Sequence, residues 1–101
     1  CNVSVVGSIW PFTFISRDYQ FVDLLSVGST KVTDVRALQE FLAWKGPTIY
    51  QDGRITGNFG SLTEVAVKRY QLSKGIQQTG EVGPLTRAAM SAELESLRYN
   101  G

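Results

Sequence analysis

Carboxylates are the side chains of this chain that could act in catalysis without a cofactor. A pair of them could hydrolyse a glycosidic bond, one as the acid and the other as the base or nucleophile. However, Asp34 and Glu64 fall in predicted first helical turns, where the helix dipole favours a negative charge. Glu93 and Glu95 indicate a solvated helix face. A chain of 101 residues also does not easily form a deep cleft. We therefore expect no catalytic residue and no enzymatic activity.

The histidine and cysteine content narrows the possible chemistry further. The chain has no histidine and a single cysteine, Cys1. The absence of histidine excludes the usual general base, the Ser-His and Cys-His nucleophile pairs and most zinc sites. One cysteine allows neither an internal disulfide nor a thiolate metal cluster. The sequence therefore predicts no metal site and no cofactor.

Charge and hydropathy indicate a small globular chain. Ten Lys and Arg residues nearly balance nine Asp and Glu residues, which argues against a nucleic-acid partner bound by charge alone. The chain is 43% hydrophobic, enough for one small core. No apolar run approaches the roughly 20 residues that a transmembrane helix needs, so we expect no membrane span.

The apolar spacing predicts a mainly α fold, a compact three-helix bundle with helices near 33–44, 61–73 and 84–98. Thr33 is a suitable N-cap for the first helix, and Gly46-Pro47 should end it. Pro84 suits the first position of the third helix. The predicted core comprises Val35, Leu38, Leu42, Phe59, Leu62, Ala66, Tyr70, Val82, Leu85 and Ala89.

An internal repeat is the strongest feature of the sequence. Residues 56–66 read TGNFGSLTEVA and residues 79–89 read TGEVGPLTRAA, with six of eleven positions identical. The glycines permit the sharp turn from a loop into a helix. Thr63 and Thr86 fall near the third helical position, where a hydroxyl can reach an unpaired backbone group. A Lys-Gly pair precedes each copy, Lys45-Gly46 before the first and Lys74-Gly75 before the second.

The combined pattern resembles the peptidoglycan-binding domain of bacterial cell-wall hydrolases and related envelope proteins. The resemblance covers roughly residues 30 to 92 and implies a three-helix bundle with internal duplication. Thr-Gly stands at 56–57 and 79–80, where that family often has Asp-Gly, and the loop from 46 to 56 also differs. Gln39 and Gln71 match glutamine positions of the family, and we expect Gln71 to be buried and bonded to the backbone of a glycine turn. The matching residues are Asp34-Val35, Leu38-Gln39, Gly57 to Thr63, Ala66-Val67, Tyr70-Gln71 and Gly80 to Thr86.

The resemblance implies a non-catalytic cell-wall binding module of an exported bacterial protein, located in the cell envelope or outside the cell. Its partner would be the glycan or the peptide stem of peptidoglycan. A shallow site for this polymer needs an aromatic face, hydrogen-bonding groups and an arginine for a carboxylate. The residues of these types that are close together in the sequence are Trp44, Tyr50, Gln51, Asp52, Arg54 and Asn58.

Other roles remain open for several of these residues. Trp44 and Tyr50 could instead pack in the core or in the loop, and Asp52 and Arg54 could pair with each other. Cys1 is either a processed end that carries a lipid, as in a bacterial lipoprotein, or a fragment boundary.

Residues 1–29 form a predicted extended N-terminal arm, which precedes a domain at 30–101. The spacing of Phe12 and Phe14 favours a strand. We expect residues 9–27 to be ordered and their large aromatic side chains to be buried, because so many aromatics rarely stay exposed. Its aromatics could pack on the same chain or on a neighbouring copy. The second arrangement gives the alternative function, a structural subunit that self-assembles into a filament or lattice. The candidate arm residues are Trp10, Phe12, Phe14 and Phe21.

Overall fold

A computed structural model describes residues 12–16 and 18–100, with side chains through Leu97. Three helices follow one another: α1 (Val32–Lys45), α2 (Ser61–Ser73) and α3 (Pro84–Asn100). The described residues contain no strand, only an isolated antiparallel bridge in which the Val82 N–H donates to the Leu25 carbonyl at 2.8 Å. The predicted mainly α, three-helix fold is confirmed. Cys1 and Trp10 lie outside the described residues.

The first helix begins one residue before the predicted N-cap. The Val35 N–H already bonds to the Lys31 carbonyl at 2.9 Å, so Thr33 lies inside the first turn and the expectation of an N-cap at Thr33 is wrong. No side chain caps this helix. The Tyr19 hydroxyl donates a hydrogen bond to the carboxylate of Asp34, which lies in this first turn of the helix. The predicted end is correct, because Gly46 follows the helix with φ +113°.

The core lies where the three helices meet and includes residues from the arm. Seven of the predicted core residues are buried: Val35, Leu38, Leu42, Phe59, Ala66, Tyr70 and Val82. Ala89 is half-buried against them. Two predictions are wrong, because Leu62 is 60% exposed and Leu85 is 71% exposed. Each is the second residue of its helix, and the next residue, Thr63 or Thr86, occupies the buried position instead.

The described part of the arm packs on the helices of its own chain. Phe12, Phe21 and Leu25 are buried, and the Phe12 ring contacts the rings of Phe41 and Trp44 at centroid distances of 6.3 and 5.2 Å. Phe14 is 41% exposed, so its predicted burial is wrong. The division of the chain at residues 29 and 30 stays a prediction.

Residues 13–15 do not form the strand that the spacing of Phe12 and Phe14 favoured. They form bends instead, because backbone N–H groups converge on one carboxylate of α1. The N–H groups of Thr13 and Phe14 donate to Glu40 at 2.7 and 2.6 Å, and that of Ile15 donates at 3.2 Å. A charged acceptor thus satisfies groups that a neighbouring strand would otherwise bond.

The carboxylate of Glu93 connects the ends of the first two helices to the third. It accepts bonds from Lys45 Nζ at 2.6 Å, from Lys74 Nζ at 3.2 Å and from the Tyr70 hydroxyl at 2.6 Å. The prediction that Glu93 lies on a solvated face is therefore wrong. Burial acts to raise the pKa of Glu93, but the bonds from Lys45, Tyr70 and Lys74 outweigh it and lower this pKa below its usual value. Burial, with the neighbouring Glu93, raises the pKa of Tyr70.

Candidate functional site

A buried glutamine of α1 fixes the first glycine turn. Gln39 is 1% exposed, and its Oε1 accepts bonds from the N–H groups of Thr56 and Gly57 at 2.7 and 2.9 Å. Its Nε2 donates to the Asn58 carbonyl at 3.0 Å and to the Thr63 hydroxyl at 3.1 Å. One side chain therefore sets the backbone of three successive turn residues.

Gln71 of α2 has the same relation to the second glycine turn. Its Oε1 accepts from the Gly80 N–H at 3.0 Å, and its Nε2 donates to the Glu81 carbonyl at 2.9 Å and the Thr86 hydroxyl at 3.0 Å. The predicted burial and backbone bonding of Gln71 are confirmed. The predicted role of Thr63 and Thr86 is wrong, because no bond among the described residues joins either hydroxyl to a backbone group. Each hydroxyl instead accepts a bond from the side-chain amide of a glutamine.

Both turns need glycine for two reasons: their backbone has a positive φ, and there is no space for a side chain. Gly57 has φ +83° and Gly80 has φ +81°, a region that other residues rarely adopt. A Cβ at Gly57 would lie 2.7 Å from Cγ1 of Val32, and one at Gly80 would lie 2.8 Å from Cγ of Glu64. Each turn therefore lies directly against the preceding helix.

A cleft of about 280 Å³ opens beside the first glycine turn, and we call it the first cleft. It contains four of the six predicted ligand-binding residues, Tyr50, Asp52, Arg54 and Asn58. Its lining comprises Gln39, Tyr50, Asp52, Arg54, Thr56, Asn58, Gly60, Ser61, Leu62 and Thr63. The residue types and their spacing in the loop predicted that these four residues lie together. They did not predict that Ser61 and Leu62 line the same cleft.

The other two predicted ligand-binding residues lie elsewhere. Gln51 lines an adjacent depression of about 280 Å³, which shares Tyr50, Asp52 and Leu62 with the first cleft. Trp44 does not line the first cleft, and its ring packs edge-on against Phe12 at 5.2 Å while remaining 39% exposed.

Within the first cleft, Tyr50 is buried and shapes the loop, whereas Asp52, Arg54 and Asn58 are exposed. The Tyr50 ring is only 4% exposed, and its hydroxyl donates to the Arg54 carbonyl at 2.6 Å. Burial raises the pKa of Tyr50, so the hydroxyl stays protonated and remains a donor. The Arg54 side chain is 78% exposed and lies 3.6 Å from the Asp52 carboxylate. An exposed pair of this length is weak, so a ligand carboxylate can compete for Arg54.

The side-chain amide of Asn58 is available to a ligand. Its backbone N–H and carbonyl are bonded within the turn, but no bond among the described residues uses its side chain. With Arg54 and the exposed Ser61, the cleft offers donors for carboxylate and carbonyl oxygens. The same described part of the chain has no group of three or more residues that could bind a metal ion. The first cleft is therefore suited to binding a polar ligand.

A scan of protein-family models assigns the chain to a family. Residues 31–90 match the model described as "Putative peptidoglycan binding domain", which spans both glycine turns and all of α2. Searches of curated proteins and of solved structures give no match. In the described ranges 12–16 and 18–100, no helix combines the length and apolar character needed to cross a bilayer. Since the match covers more than half of the 101 residues, the chain belongs to this family of peptidoglycan-binding domains.

Proposed function

We propose that the chain is a non-catalytic module that binds peptidoglycan through the first cleft. The observation that carries the proposal is the position of this cleft at a glycine turn inside the matched residues 31–90. Peptidoglycan supplies complementary groups: carboxylates on its peptide stems and N-acetyl carbonyls on its sugars. Arg54 would bind a stem carboxylate in the bidentate manner that suits guanidinium. The Asn58 amide would donate to an N-acetyl or peptide carbonyl.

The backbone around these two residues is organised before a ligand arrives. Gln39 bonds to three turn residues, and Tyr50 bonds to the Arg54 carbonyl. Binding therefore orders few backbone torsions, and the entropy loss falls mainly on exposed side chains such as Arg54. A shallow polar cleft still gains little after desolvation, so weak affinity is expected for one module.

The proposed partner lies outside the cytoplasm. We therefore extend the proposal to an exported bacterial protein that this module retains in the cell envelope. The buried contacts of Phe12 and Phe21 within their own chain support an arm that stabilises the module, so we do not advance self-assembly as its function.

Co-sedimentation with purified sacculi tests this function. The wild-type protein should sediment with them, and the variant Arg54→Ala/Asn58→Ala should stay largely in solution. The matched control is Lys31→Ala/Gln78→Ala, which removes one exposed cation and one exposed amide away from the first cleft. Wild-type protein that remains folded and does not sediment would refute peptidoglycan binding. Release of soluble sugar or peptide fragments by the wild type would refute the non-catalytic assignment.

A further inference from the structure

A second cleft, of about 260 Å³, opens beside the second glycine turn. Seven of the ten residues that line it stand at positions equivalent to residues that line the first cleft. Gln71, Thr79, Glu81 and Leu85 occupy the places that Gln39, Thr56, Asn58 and Leu62 occupy in the first cleft. The two glutamines make equivalent bonds below both clefts, so the same construction is present twice.

The exposed leucines are part of this repeated construction. Leu62 and Leu85 are each the second residue of a helix, and they are 60% and 71% exposed at the edges of their clefts. An exposed leucine at one position needs no explanation. An exposed leucine at equivalent positions of two clefts indicates an apolar contact that both clefts offer to a ligand.

The two clefts differ in charge. The first contains Asp52 and Arg54, whereas Glu81 is the one charged residue among those that line the second. Leu24 of the arm adds a further apolar wall there, and Gln77 adds an amide that makes no bond among the described residues. The second cleft therefore suits an uncharged or amine-bearing group with an apolar portion, and it disfavours a lone carboxylate.

The clefts lie at opposite ends of α2. Leu62 is the second residue of that helix and Gln71 is near its end. At roughly 1.5 Å per residue, about 14 Å of helix axis separates them. A ligand clearly shorter than this distance cannot contact both clefts, but an extended polymer can.

We propose that the second cleft is a second binding site for the same polymer, so that one chain engages peptidoglycan at two points. This inference rests on the proposed function of the first cleft. The first cleft takes the carboxylate-bearing part of the polymer, and the second takes an amine-bearing or N-acetylated part. Once one cleft is occupied, the other meets its part of the polymer at a high effective concentration. This raises the affinity for the polymer but not the affinity for a ligand that is too short to reach both clefts.

Matched double variants test the second cleft. Glu81→Ala/Leu85→Gln alters it, and Asn58→Ala/Leu62→Gln changes the equivalent positions of the first cleft. The control is Leu72→Gln/Gln78→Ala, which alters an exposed leucine and an exposed polar side chain that line neither cleft. Dissociation constants are measured for purified sacculi and for a short ligand, a free dipeptide of the peptide stem. At about 3.4 Å per residue this dipeptide is too short to reach both clefts. Thermal unfolding verifies that each variant is folded.

The second-cleft variant should bind sacculi at least about tenfold more weakly than wild type, while its affinity for the short dipeptide changes by no more than about twofold. The control should match wild type in both measurements. The inference is overturned if the second-cleft variant binds sacculi like wild type, or if the control loses as much affinity. In those cases the first-cleft variant shows whether the proposed function stands. If folded wild-type protein binds no sacculi, both proposals fail together.

Discussion

Gln39 and Gln71 make the same bonds to two different glycine turns. In each case Oε1 accepts from the N–H of a glycine, Gly57 or Gly80, and Nε2 donates to the carbonyl of the following residue. Both glutamines are 1% exposed, so their amide groups have no access to bulk water. The turns that border the two clefts therefore depend on side chains from the preceding helices.

Replacing either glutamine by leucine should destabilise the chain. In Gln39→Leu the N–H groups of Thr56 and Gly57 lose their acceptor, and a buried group left unsatisfied costs about 1–3 kcal/mol. We expect a fall of that size or more in the free energy of unfolding, measured with urea, and a similar fall for Gln71→Leu. Gln78→Leu, at an exposed position, is the control. A change for Gln39→Leu no larger than that of the control would contradict the assigned bonds.

Replacement by alanine should lower the free energy of unfolding more at Gly57 and Gly80 than at Gly53. All three glycines have positive φ, which costs an alanine about 1–2 kcal/mol. A Cβ at Gly53 meets no atom within 4 Å, whereas Gly57 and Gly80 have side-chain carbons closer than 3 Å. The free energy of unfolding in urea is measured for the three variants. The loss at Gly53 gives the cost of backbone strain alone, and any further loss at Gly57 and Gly80 gives the cost of the close contacts. Equal losses at all three positions would show that the close contacts are relieved without cost.

The arm should contribute to the stability of its own chain. Phe21 is 5% exposed and Phe14 is 41% exposed, so Phe21→Ala should cost about 3–5 kcal/mol and Phe14→Ala much less. Thermal or urea unfolding of dilute protein measures both. If Phe21→Ala leaves stability unchanged at low concentration and instead lowers the mass measured by light scattering, the arm docks on a neighbouring copy.

The cluster around Glu93 predicts an acid-sensitive contribution to stability. Because folding lowers the pKa of Glu93 below its usual value of 4.5, the ionised form stabilises the native state above that pH. This contribution is lost as the pH falls through the lower, native pKa. The variant Glu93→Gln should be less stable than wild type at neutral pH. The difference should shrink as the pH falls below about 5. A difference that stays constant with pH would contradict this account.

The helices were predictable from the sequence because apolar spacing, Gly46 and Pro84 mark them locally. The exposure of Leu62 and Leu85 was not, because periodicity alone does not distinguish a buried position from a cleft edge in the first turn of a helix. The convergence of Lys45 and Lys74 on Glu93 was also beyond the sequence, since it depends on how the three helices pack.

The candidate site was predictable in part for a similar reason. Tyr50, Asp52, Arg54 and Asn58 belong to one short loop, so their proximity in sequence carries over to the cleft. Trp44 belongs to the helix before that loop. Its ring packs on Phe41 of its own helix and also on Phe12 of the arm, which is far away in the sequence. Contacts of that kind join distant parts of the chain and leave no local pattern.

Nuclear magnetic resonance titration with soluble peptidoglycan fragments tests most directly whether the first cleft binds this polymer. The account predicts that backbone amide signals of Thr56, Gly57, Asn58 and Ser61 shift with saturation, and that the shifts largely vanish in Arg54→Ala/Asn58→Ala. The signals of Leu72 and Ser73, which line neither cleft, should stay unchanged. Saturable shifts confined to other surfaces, or no shifts from a folded protein at high fragment concentration, would contradict the account.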